Sequence, residues 1–105
     1  MSMTAAELFE VVKDVPREAW GNLDWYCGEF VKKHTYDVVD SDVAEHAFVG
    51  STTAWLVERG QYPTSSKCGA GDEMRYIVLG FGNKSAKGVG TSLVAALAAA
   101  CKEAA

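Results

Sequence analysis

Arg75-Tyr76-Ile77-Val78-Leu79-Gly80-Phe81-Gly82 is the stretch of this 105-residue chain on which the fold class turns. Its β-branched and aromatic composition suits a strand, and Gly80 and Gly82 would end one. Met74, Ile77, Val78 and Phe81 also fall at helical spacing, with Asp72 ahead of them as a cap. Composition and the glycine pair favour the strand. A strand here gives an α+β domain; a helix gives an all-α bundle. The chain continues through a glycine-rich turn to Gly90, and a helix opens at Thr91 and Ser92 and runs through Leu93, Val94 and Leu97 to Cys101. That helix is apolar almost all the way round, so protein must cover most of its surface.

The N-terminal part reads as helical. Thr4 and Glu7 have capping-box spacing, and Leu8, Val11, Val12 and Val15 recur on one face behind them. Pro16 ends that helix, and residues 17–20 form at most one further turn before Gly21. Asn22 is a good cap for a second helix, with Leu23, Tyr26, Cys27, Phe30, Val31 and His34 on one face. Trp25 points away from that face. Residues 35–39 have strand composition. A third helix runs from Asp42 to Arg59 and stops at Gly60, with Val43, Ala44, Ala47, Phe48, Gly50, Ala54, Trp55 and Val57 on its apolar face. The small residues Ala47, Gly50 and Ala54 predict a close neighbour there. Val49 and Leu56 form a narrower seam on the other side, and Glu58 falls inside the apolar face, with Arg75 as its expected partner. Residues 61–72 are a polar loop. The expected fold is therefore mainly helical α+β in one domain over residues 1–105, with four main helices and a two-stranded sheet from residues 35–39 and 74–81.

Composition narrows the function classes. A formal charge of −4 disfavours phosphate neutralisation on nucleic acid, which needs a basic face. No apolar run has transmembrane length and no signal-peptide pattern opens the chain, so a cytosolic location is expected. Cys27, Cys68 and Cys101 are odd in number and lack CxxC spacing, which fits free thiols.

The best ligand candidate is the glycine-rich turn, where Gly82, Gly88 and Gly90 would let the backbone approach a phosphate. Lys84 and Lys87 would add charge, and Ser85, Thr91 and Ser92 would add hydroxyls. Lys87-Gly88-Val89-Gly90 followed by Leu93 resembles the pyrophosphate-binding loop of the GNAT acetyltransferases. The resemblance spans under a dozen residues, and Ser85 and Ala86 stand where that loop usually has arginine or glutamine and then glycine. It implies a nucleotide or acyl-CoA type of ligand. Cys27, His34, His46 and Cys68 match no standard zinc spacing, and Asp37, Asp40, Asp42 and Glu45 lack the order of a calcium loop, so no metal and no cofactor is expected. No cysteine–histidine signature supports nucleophilic catalysis. The leading expectation is a small non-enzymatic interaction or regulatory protein. It would act as a homodimer, through the free edge of a short sheet and the apolar last helix, and through a second surface containing Trp25, Val49 or Leu56. The alternative is a binder or transferase for a phosphate-containing ligand.

Overall fold

In a computed structural model that describes residues 3–69, 75–81 and 87–104, the decisive stretch is a strand. The elements in order are helix α1 (Ala5–Val12), a 3-10 turn (Arg17–Trp20), strands β1 (Leu23–Tyr26) and β2 (Glu29–Lys32), helix α2 (Ser41–Glu58), strands β3 (Tyr62–Cys68), β4 (Arg75–Phe81) and β5 (Lys87–Gly90), and helix α3 (Leu93–Ala104). The described residues thus form three α-helices and two sheets, which corrects both the four-helix α+β expectation and its all-α alternative. One sheet is the β1–β2 hairpin, and the other is antiparallel in the order β3-β4-β5.

The largest departure is at residues 22–34, where a hairpin stands in place of a helix. Cys27 and Gly28 both have positive φ, 51° and 78°, as in the mirror-image two-residue turns whose twist suits a hairpin. The apolar positions 23, 26, 27, 30 and 31 fit a helix, but burial decides otherwise. Leu23, Phe30 and Val31 go inside, whereas Tyr26 and Cys27 are exposed at the tip. The strand expected over 35–39 is reduced to a single bridge, Val38 to Val31. The loop expected over 61–72 contains β3, a polar strand held through its full length by β4.

Other local readings hold. Thr4 and Glu7 make the reciprocal capping box. Trp20, from the 3-10 turn, packs edge-on to Phe48 of α2 at 5.1 Å and 6.0 Å from Phe30 of the hairpin, and its indole N–H donates to Val15 O. These rings and Leu8, Val12 and Leu56 join the first half of the chain to Val94, Leu97 and Cys101 of α3. The chain therefore covers most of α3 by itself, which removes the apolar last helix as a reason for dimerisation.

Helix α2 splits its apolar residues between two faces. Ala44, Phe48, Thr52, Trp55 and Leu56 are buried, while Val43, Ala47, Gly50, Ala54 and Val57 are exposed. Glu58 is exposed on the outward side, so the expected desolvated pair with Arg75 is corrected. The helices lie over one side of the three-stranded sheet, and the described structure measures only 17 Å in its thinnest direction. No described residue outside the sheet covers its other side.

Candidate interaction surface

The glycine-rich segment resolves into strand and helix cap. Gly88 and Gly90 share the face of β5 that meets α3. A Cβ on Gly88 would lie 2.5 Å from Ala100 N and closer still to Ala96 O, and one on Gly90 would lie 2.7 Å from Ala95 Cβ. Both glycines therefore serve close approach between strand and helix, and α3 backbone occupies the space a ligand would need. Ser92 caps α3, its hydroxyl accepting the Ala95 N–H at 3.2 Å. The Lys87 N–H donates to the Glu103 carboxylate at 3.3 Å. Gly82, Lys84 and Ser85 lie outside the described residues.

Thr91 and Ser92 border a groove of about 490 Å³ whose other walls include Glu7, Glu10 and Glu45. Hydrogen bonds from the Thr4 backbone and hydroxyl hold the Glu7 carboxyl below its usual pKa, so it is ionised at neutral pH. Three carboxylates give this groove a negative potential, the wrong sign for a phosphate.

The residues expected to form a protein interface are largely internal. Leu56 is fully buried. Trp25 is half-covered, stacked on Phe9 of α1 at 4.3 Å and edge-on to Phe30 at 4.8 Å. Val49 is also partly buried and lines a hollow of about 90 Å³ with Thr53, Pro63, Val78 and Leu97. That hollow is well below the ~300 Å³ of a small-molecule pocket.

The thiols and imidazoles do not converge. Cys27 and Cys68 are exposed and Cys101 is buried, its Sγ 3.8 Å from Thr52 O. Burial pushes the Cys101 thiol pKa up to about 12, the opposite of what an attacking thiolate needs. His46 uses Nδ1 in a contact with Asp42 O at 2.9 Å. Among the described residues no group of three or more His, Cys, Asp or Glu side chains is placed to hold a metal.

Among the described residues, what stands uncovered is the outer face of the three-stranded sheet. The register pairs Thr64 with Leu79 and Ser66 with Ile77, and pairs Ile77 with Val89 and Leu79 with Lys87. Alternation then puts Tyr62, Thr64, Ser66, Ile77, Leu79, Lys87 and Val89 on one side, and Ser65, Val78 and Gly88 on the side of the helices, where Val78 and Gly88 are buried. Val78 is fully buried, whereas Tyr62 is 62%, Leu79 39% and Val89 47% exposed. The described part of the outer face carries no carboxylate. This surface was missed because β3 has no apolar alternation, and without it the face cannot be assembled from sequence.

The chain matches no family model, no curated protein and no solved structure. The short resemblance to the GNAT loop thus has no family match behind it.

Proposed function

We propose that this chain is a non-enzymatic cytosolic interaction protein that self-associates and offers its open sheet face to a protein segment combining apolar side chains with carboxylates. The observation that carries this reading is the uncovered set Tyr62, Leu79 and Val89 beside Lys87. A one-sided antiparallel sheet normally turns polar residues to water. Here both sides of β4 are apolar, with Val78 inward and Ile77 and Leu79 outward. Lys87, with no carboxylate among the described residues of the face, makes that part complementary to acid, although the whole chain is acidic. Tyr62, the most exposed of the set, is of the aromatic type enriched at interfaces. No observation favours a phosphate ligand at Thr91 and Ser92, which share their groove with Glu7, Glu10 and Glu45.

The test is a photo-crosslinking amino acid placed at Leu79 or at Val89 in cells, with Lys13 on α1 as an exposed control. A recurrent adduct from both sheet positions, joined through an apolar and acidic segment, is the expected result. Equal labelling from the control, or none from the sheet, would refute the reading.

A further inference from the structure

We draw no further inference here: the strongest candidate, the groove of about 490 Å³ between α1, α2 and the start of α3, takes its character from the Glu7, Glu10 and Glu45 carboxylates alone, and no second feature among the described residues points to a ligand there.

Discussion

Glycine has two opposite energetic meanings in this chain, and substitution separates them. Gly88→Ala forces a methyl group into the Ala96 and Ala100 backbone, where no flexible side chain can yield. Overpacking of this kind costs about 1–3 kcal/mol, so urea unfolding should show a loss of about 2 kcal/mol or more. Gly50→Ala adds the same methyl in open space and should gain about 0.5–1 kcal/mol in the same unfolding experiment. A loss at Gly50 would mean that its surroundings are misdrawn. Cys101 gives a second residue-scale test. Its thiol pKa is raised to about 12 in the folded state from an ordinary value near 9.0. Its contribution is therefore complete below pH 9 and is lost as pH rises toward 12, because only the unfolded chain ionises in that window. Stability should fall between those limits, and Cys101→Ala should flatten that fall. In the native protein at pH 8 a thiol reagent should modify Cys27 and Cys68 and spare Cys101. None of these roles is written in the residues themselves. The sequence shows glycines and a cysteine, and only the approach of α3 to β5 and α2 tells them apart.

Among elements, the capping box of α1, the stop of α2 at its glycine and the β4 strand were legible because each rests on neighbours in sequence. The hairpin at residues 23–32 was not. Leu23, Tyr26, Cys27, Phe30 and Val31 satisfy a helical wheel, and the competing signal is the Cys27-Gly28 turn with aromatic residues on both sides. Tertiary packing decided it, because Trp25 and Phe30 meet Phe9 and Phe48 only from a hairpin. The turn is correspondingly sensitive. Cys27 stands at φ 51°, a conformation that asparagine tolerates better than most side chains. Cys27→Asn should therefore be neutral or stabilising, whereas Gly28→Val should lose more than about 1 kcal/mol in thermal or urea unfolding. A stabilising Gly28→Val would argue for the helix instead. Strand β3 was the least legible element. Tyr62-Pro63-Thr64-Ser65-Ser66-Lys67-Cys68 has no apolar face of its own and is a strand because β4 pairs with it. Pro63 and Lys67 on that edge are also features that discourage strand addition.

At the scale of the whole molecule, the helices cover one side of the three-stranded sheet and no described residue covers the other, and the shortest extent is 17 Å. A mixed fold and a buried α3 were legible from composition and periodicity. The open face was not, because it depends on which strands pair, and pairing is a long-range property. Strand β4 tests the asymmetry within two adjacent residues. Val78 is fully buried beneath the helices, while Leu79, its neighbour, points outward and is 39% exposed. Val78→Ala removes two methyl carbons from a closed core and leaves a cavity, a change that should cost about 2 kcal/mol. Leu79→Thr keeps strand propensity and removes apolar surface that faces water, as does Val89→Thr across the sheet. Each should cost less than about 1 kcal/mol, well under Val78→Ala, because much of each side chain is already in water. Both should also abolish the crosslinks expected from this face, which a purely solvated surface would never have formed. If Leu79→Thr destabilised the dilute protein as much as Val78→Ala, the outer face would already be covered within one chain. It would then have no surface left to offer a partner.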